Sequence, residues 1–551
     1  VVALAVGELV AILSGGRSAP LVAVGGVVVD AVPESVKEFA IRVFSTDDKL
    51  ALQVGTGLLL AGFAAGVGVL ALRRLAYGLA GIAFFGLLGA VAAGTRTGAT
   101  WAYPLPSVLG AGAGAGVLVW MLRWLPVQAT SGGAAASGDT AMAGDTATAG
   151  DTATAGGDAA SDNELTVTQG PVVVGAPREG DVGGEFFAGR ATFTDQLDDG
   201  TRRRRFLKLA GIGIGASALA GFGGRWLAER RGVAAARAAV VLPSPGNGVS
   251  PLPGDMAQGP TPFVTSNQDF YLIDTAIVAP QVDPHSWQLR IFGRVHRPLT
   301  ISFDELLRRP MVERYVTLAC VSNEVGGGLI GNARWLGVPI KDLLDEVEPD
   351  DAADQVVSRS VDGWTAGTPT SVLRDGRDAL LAVGMNGEPL PIAHGFPVRM
   401  VVPGLYGYVS ATKWLVELEL TRFADFDAYW IRRGWAPTRT IKTSSRIDTP
   451  RHGATLRRGP VVLAGVAWAQ HRGVGAVEVR VDGGPWQRAT LAGVPSIDTW
   501  RQWTCSWDAT PGTHEIAVRA TDNGGAVQSE ERQPSFPDGA TGLHTVEVTV
   551  G

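Results

Sequence analysis

One cysteine is placed where a thiol could do chemistry. Cys320 follows an apolar run, residues 315–319, and opens the stretch C-V-S-N-E-V-G-G-G-L-I-G-N-A-R-W, a polar, glycine-rich loop that ends at Arg334 and Trp335. A thiolate is a soft metal ligand, and glycines let backbone amides come close to a bulky group. A strand that hands a thiol to such a loop suits an anionic, metal-bearing cofactor. The competing reading is a buried, inert core cysteine, the usual state of a free thiol. Arg399 alternates with apolar residues in an expected strand, residues 398–402, so an inward guanidinium there needs an anionic partner.

The flanking blocks carry a resemblance. C-V-S-N at Cys320, A-R-W-L-G-V-P-I over 333–340, M-N-G-E-P-L-P-I-A-H-G-F-P-V-R-M-V-V-P-G-L-Y-G over 385–407 and K-W-L over 413–415 follow one another as in the sulfite oxidase family of molybdopterin oxidoreductases. The chain resembles that family over about residues 260–551. The resemblance implies a molybdenum–molybdopterin cofactor (Moco) with Cys320 as the metal's protein ligand. It gives Asp362, His394, Arg399 and Lys413 to cofactor binding; proximity to the cysteine motif puts Asn323, also a cofactor-binding candidate, and Arg334, a catalytic candidate with Cys320, near the metal. Three departures stand out. The Phe270-Tyr271 pair is followed by L-I-D-T-A rather than the family's basic lining. Thr365-Ala366-Gly367-Thr368 lacks the family's active-site tyrosine. Glu324 and Val325 replace an arginine pair after the cysteine motif. These changes make a site less suited to sulfite, and leave open a reductase of sulfoxides or N-oxides with the same cofactor.

Those residues belong to one half of a divided chain. The sequence has 551 residues, a net charge of -6 and 18% charged residues, with a mean hydropathy of +0.16. A nucleic-acid binder would show a basic domain, and none is present. Two cysteines cannot build a disulfide framework. Residues 1–128 read as four transmembrane helices. The first, residues 1–13, reads as the end of a longer helix, and spans over 50–72, 75–94 and 105–125 have membrane length. Small residues crowd them, which suits close helix packing in lipid. Arg73, Arg74 and Arg123 set the cytoplasmic side, leaving residues 14–49 as an outer loop with 33–44 as a candidate surface helix.

Residues 129–200, with repeated G-D-T-A, read as a disordered linker. Arg203-Arg204 before Phe206-Leu207-Lys208 resembles a twin-arginine export signal on a fifth helix, within residues 201–228. No histidine precedes His285, so the membrane half cannot supply histidine ligands to a b-type haem, and no haem is expected.

Residues 229–262 read as a tether and 263–425 as the catalytic domain. Strands are expected at 287–293, 299–301, 315–319, 355–360, 379–385 and 398–402. Helices are expected from Ser302, with an S-x-x-E capping pattern, and over 340–347. No G-x-G-x-x-G follows a strand, which argues against a nucleotide-binding fold. Alternation over 461–468, 476–481, 500–507, 514–520 and 544–550 predicts a β-sandwich across 440–551, with hairpin signals at Asp482 and Asp522. Cys505 reads as core packing. Two roles stay open for Arg446: reach into a neighbouring active site, or pair with Asp448.

The expected fold class is therefore multi-domain. N-terminal transmembrane helices precede an α+β sulfite-oxidase-like molybdopterin domain and an immunoglobulin-like β-sandwich. The expected protein is a multi-pass cell-membrane oxidoreductase with its catalytic half on the extracytoplasmic side. Its partners would be a small-molecule substrate, membrane lipid, an external one-electron carrier and a second copy through the C-terminal domain. A different class, a non-catalytic membrane-anchored binding module, predicts a folded but metal-free protein.

Overall fold

The computed structural model describes residues 2–14, 18–31, 48–95, 99–122, 233–246, 261–437 and 440–551, with isolated positions between them. The first half holds helices α1 (Val2–Ser14), α2 (Pro20–Ala31), α3 (Asp48–Arg73), α4 (Leu75–Gly94) and α5 (Leu105–Leu122). Three stretches within them, Val54–Arg73, Leu75–Gly94 and Leu105–Leu122, are long and apolar enough to cross a membrane. Helix α2 departs from the outer loop expected there, because P-L-V-A-V-G-G-V-V-V-D-A is apolar almost throughout. The linker, the candidate surface helix over 33–44 and nearly all of the export-signal helix lie outside the described residues.

Small residues set the helix contacts. A Cβ on Gly110 would lie 2.3 Å from the Ala3 carbonyl oxygen, and one on Gly86 would lie 2.5 Å from Ala111 Cβ. Helices α1 and α4 therefore approach α5 at distances that a larger residue would forbid.

The second half of the chain begins its fold before residue 263. Residues 233–239 form a short helix, α6 (Val233–Ala239), and Val233 is buried among Phe270, Trp335, Leu380 and Phe396. This part of the expected tether is docked on the domain, held by Val233 and, just beyond the helix, Val240 and Leu242.

Two sheets follow. One runs in the order β2 (Leu299–Ser302), β1 (Gln288–Gly293), β10 (Leu415–Thr421), β5 (Gln355–Ser360) and β6 (Thr365–Pro369). Its β1–β10 pair is parallel. The other runs β3 (Val312–Ala319), β4 (Ile330–Pro339), β7 (Leu380–Met385) and β8 (Glu388–Pro389), with β9 (Arg399–Val401) also on β7. Helix α7 (Phe303–Leu307) starts with the expected capping box: Ser302 accepts from the Glu305 N–H, and Glu305 reaches back. Helices α8 (Ile340–Val347) and α9 (Thr370–Arg374) complete this half.

Strand β4 corrects the sequence reading. The loop after Cys320 ends at Leu329, and Ile330–Pro339 is a strand paired along all of β3, from Val312↔Gly337 to Ala319↔Ile330. Its glycines and Asn332 hide the period. Asn332 is fully buried and bonded to Thr317 Oγ1 (3.0 Å) and the Phe263 carbonyl (2.9 Å). Pairing supplied by a neighbour overrides weak local propensity.

The C-terminal region is two further sheets around one apolar core. The first is ordered β11 (Ser444–Thr449), β13 (Gly459–Trp468), β17 (Arg501–Ala509) and β16 (Thr490–Leu491). The second is ordered β12 (Ala454–Leu456), β19 (His544–Val550), β18 (Gly512–Asp522), β14 (Val474–Val481) and β15 (Gln487–Arg488). Cys505 packs in that core with Leu463, Trp503 and Ile516. Asp482 and Gly483 both take positive φ at the β14–β15 hairpin, as D-G-G requires.

Candidate active site

The β3–β4 hairpin carries its thiol on a loop that fixes its own shape. Cys320 N–H donates to the Leu329 carbonyl (2.9 Å), Asn323 N–H to the Cys320 carbonyl (3.1 Å), and Leu329 N–H to Asn323 Oδ1 (2.8 Å). Asn323 thus spends its side-chain oxygen bracing the loop. Cys320 is half-buried. Burial pushes its thiol pKa up, while the N–H and hydroxyl of Ser322 and the N–H of Val321 pull it down. Those donors are already aimed at the charge of a thiolate.

A second segment supplies cations. His394 ends a single 3-10 turn (Ile392–His394), and Gly395 follows at φ +111°. A Cβ on Gly395 would sit 3.1 Å from Arg399 Cβ and from Lys413 Cα and Cβ. That glycine is what lets the histidine, arginine and lysine segments close on one another. Gly395→Ala is expected to cost about 1–3 kcal/mol from φ strain alone, seen as a lower urea midpoint of the metal-free protein.

Arg399 is 5% exposed, with Nη1 on the His394 carbonyl (3.1 Å), Nε on the Met400 carbonyl (3.4 Å) and its carbon 5.0 Å above the Trp335 ring. Among the described residues no carboxylate lies within ion-pair distance of it. Burial brings its pKa down to about 10, opposed by Tyr271 and Asp274, so it stays cationic at neutral pH. A buried guanidinium with N–H donors left over is prepared for an anion. Lys413 is engaged differently: its Nζ pairs with Asp274 and donates to the Ala393 carbonyl (3.1 Å).

His394 Nε2 lies 2.9 Å from the Asn267 carbonyl. A carbonyl only accepts, so Nε2 holds the proton and Nδ1 is bare. Burial lowers the His394 pKa to about 4, helped by Arg399 and Lys413 against the Asn267 bond and Asp274. The sign follows. Unfolded imidazole takes a proton near pH 6.5 while the folded one refuses it to about pH 4. Stability is therefore full above that window and falls with pH through it, by about 3 kcal/mol in total. Urea titrations of the metal-free protein at several pH values should show this slope, and His394→Gln should flatten it.

Two tyrosines join the group. Tyr271 is raised far above its ordinary pKa by burial and by Cys320, against Arg399. It therefore stands within electrostatic reach of both the thiol and the guanidinium. Tyr406 is pushed up to about 12 by burial; its oxygen accepts from Lys442 N–H, and Cys320 raises it further. Both hydroxyls keep their protons at neutral pH. Tyr271 stacks on Phe270 (5.2 Å), which meets Trp335 (5.7 Å) and His394 (5.6 Å) edge-on.

The C-terminal sheets reach the same loop. Arg446 on β11 pairs with Asp448 (2.6 Å) and donates to the Gly327 carbonyl (2.9 Å). The pairing with Asp448 is the role seen, and the same guanidinium also braces its own chain's cysteine loop. The His544 ring fills the space where a Cβ on Gly326 would stand, and Ser535 meets Glu324 (3.4 Å).

The expected site residues do not all converge. Arg334 sits opposite Tyr315, pairs with Glu313 (3.2 Å) and lies four ladder positions from the Ala319↔Ile330 pair, roughly 13 Å along the strand. It is not brought to Cys320. Asp362 accepts from Trp364 N–H (3.1 Å) in the β5–β6 turn, whose Val361 donates to the Trp414 carbonyl (2.9 Å), so it borders the Lys413 segment. Tyr271, Asp274 and Tyr406 were visible only as parts of motifs, since nothing in their spacing announces contact with residues far along the chain.

Among the described residues no three His, Cys, Asp or Glu converge as a metal cage. A metal here would take Cys320 and draw its other ligands from a carrier. A half-buried thiol ringed by donors, a buried guanidinium with no ion-paired carboxylate among the described residues, and a neutral histidine fit a pterin-borne metal.

Comparison with known proteins agrees. The family described as "Oxidoreductase molybdopterin binding domain" matches residues 276–430. The mitochondrial sulfite oxidase of Mus musculus is 31% identical over 321 residues, 49% of this chain and 58% of that one. The sulfite oxidase of Gallus gallus is 30% identical over 321 residues, covering 69% of its length. The chain thus spans little more than half of the mammalian relative. The sulfane dehydrogenase SoxCD from Paracoccus pantotrophus aligns over 52% of this chain and 81% of its own, at a TM-score of 0.46 and 25% identity. With the avian protein matched across more than two-thirds of its length, this chain belongs to the sulfite oxidase family of molybdopterin-dependent oxidoreductases.

Proposed function

We propose that the protein is a membrane-anchored molybdenum oxidoreductase that moves an oxygen atom to or from a small sulfur compound. The observation that carries this is Arg399, a buried guanidinium with unused donors beside His394. When bound, the cofactor supplies two-electron oxygen-atom transfer, with electrons leaving singly to an external carrier. Cys320 would hold the metal, and Val321 and Ser322 would steady the thiolate charge. Arg399 would bind the anionic part of the pterin, and the bare Nδ1 of His394 would accept from it. Tyr271 and Tyr406, both protonated, would donate to an oxygen on the substrate.

The membrane part rests on the three long apolar helices and their small-residue contacts. The extracytoplasmic placement rests on the arginine distribution and the twin-arginine-like segment. The C-terminal sheets are proposed as an immunoglobulin-type sandwich that pairs two copies of the chain.

Charge favours a second reading. Asp274 neutralises Lys413, and Glu324 stands in the cysteine loop. Both work against a dianion such as sulfite. A sulfoxide or N-oxide, reduced by the same cofactor, suits that field better. The test uses the full chain in detergent, quantified for molybdenum. Sulfite-dependent reduction of a one-electron acceptor supports the oxidase. Its absence from a fully loaded sample, with sulfoxide-dependent oxidation of a reduced dye, would establish the reductase. A folded protein that never takes up molybdenum would overturn both.

A further inference from the structure

Helix α6 does more than lead into the domain. Arg237, three-quarters along it, donates from Nε to the Leu390 carbonyl (2.7 Å) and from Nη2 to the Pro389 carbonyl (2.5 Å). The same guanidinium pairs with Glu388 (3.1 Å). These are the residues that lead directly into the His394 turn. The Glu388 carboxylate also accepts from Asn267 Nδ2. Asn267 Oδ1 accepts from Asn386 Nδ2 (2.8 Å), and the Asn267 carbonyl takes the His394 Nε2 proton (2.9 Å).

One unbroken set of bonds therefore runs from Arg237 through Glu388 and Asn267 to His394. It fixes two things at once: the path of the backbone that presents the histidine, and the carbonyl that sets its tautomer. The planar fork matters. One guanidinium holds two successive carbonyls and a carboxylate, which an ammonium on a flexible stem cannot reproduce. Val233 locks the start of the helix into the core beside Phe270, the ring that also meets His394.

We propose that Arg237 is a positioning residue for His394, so that the membrane-proximal helix is a working part of the cofactor site. This rests on the reading that His394 faces the pterin. Outer partners of this kind change affinity about 10–100-fold when removed.

The test uses the full chain in detergent and two readouts other than turnover. The first is the His394 tautomer in metal-free protein labelled with 15N-histidine, read from long-range 1H–15N couplings. The second is the rate at which molybdenum is lost from loaded protein on dilution and gel filtration. Arg237→Ala is expected to give mixed tautomers and roughly tenfold faster loss. Arg237→Lys should keep the Glu388 pair, lose one carbonyl bond and fall between. Arg297→Ala, which breaks an exposed ion pair with Glu348, should match the parent in both. A pure Nε2–H tautomer and parental retention in Arg237→Ala, with only a lower melting midpoint, would overturn the proposal and leave Arg237 as a plain anchor. Full retention by His394→Ala would instead remove the pterin from His394, and the coupling with it.

Discussion

Cys320→Ser is expected to lower oxidoreductase turnover by about 10³-fold or more, a barrier increase of roughly 4 kcal/mol, while leaving the melting midpoint of the metal-free protein within a few degrees. A serine hydroxyl fills nearly the same volume but keeps its proton at neutral pH, and it is a hard, weak ligand where a soft one is needed. The loop should tolerate the change, because its shape is set by the Cys320 backbone and by Asn323, not by the thiol. The pterin itself should still bind through the Arg399 side of the site. Molybdenum and pterin measured separately on the variant check this. Parental turnover in a variant of verified sequence would remove Cys320 from the chemistry.

Arg399→Met is expected to have opposite effects on stability and on loading. Buried charge is expensive, and this guanidinium has backbone carbonyls but, among the described residues, no ion-paired carboxylate for company. Replacing it with an apolar side chain of similar length should therefore leave the metal-free protein as stable or more so, by up to about 1–4 kcal/mol. Cofactor retention should fall at least 100-fold or so, since each charge-assisted bond to an anion contributes about 1.5–3 kcal/mol. Urea unfolding of the metal-free variant and molybdenum content after gel filtration test the two arms. A variant that is both less stable and fully loaded would show that Arg399 serves the fold and not the cofactor.

The two substitutions separate the halves of the site. The thiol comes from a hairpin loop closed on itself, and the cations come from a turn opened by Gly395. Both are held from outside the central domain. Arg446 and His544 reach the loop from the C-terminal sheets, and Arg237 reaches the turn from helix α6. Neither flank is a passive appendage in this geometry.

By itself the sequence determined the three long apolar helices, the capping box at Ser302, most strands, and the motifs that place Cys320, His394, Arg399 and Lys413 in one family. Each is a local property: hydropathy over a window, a period of two, a fixed spacing. Apart from helix α2, what it misjudged depended on a partner distant in the chain. Strand β4 exists because β3 and β7 supply its ladder bonds, which glycines and a buried asparagine conceal. Residues 233–242, apolar apart from Arg237 but flanked by the Pro/Gly-rich stretch that reads as tether, are held by a core that forms only after Phe270, Trp335 and Phe396 meet. Only the tertiary structure decided that Arg334 belongs with Glu313, that Lys413 is neutralised by Asp274 across 139 positions, and that Tyr271 lies within electrostatic reach of both the thiol and the guanidinium. Charge and hydrogen bonding act through space over a few ångströms, and the order of residues along the chain does not encode which distant groups will share that distance.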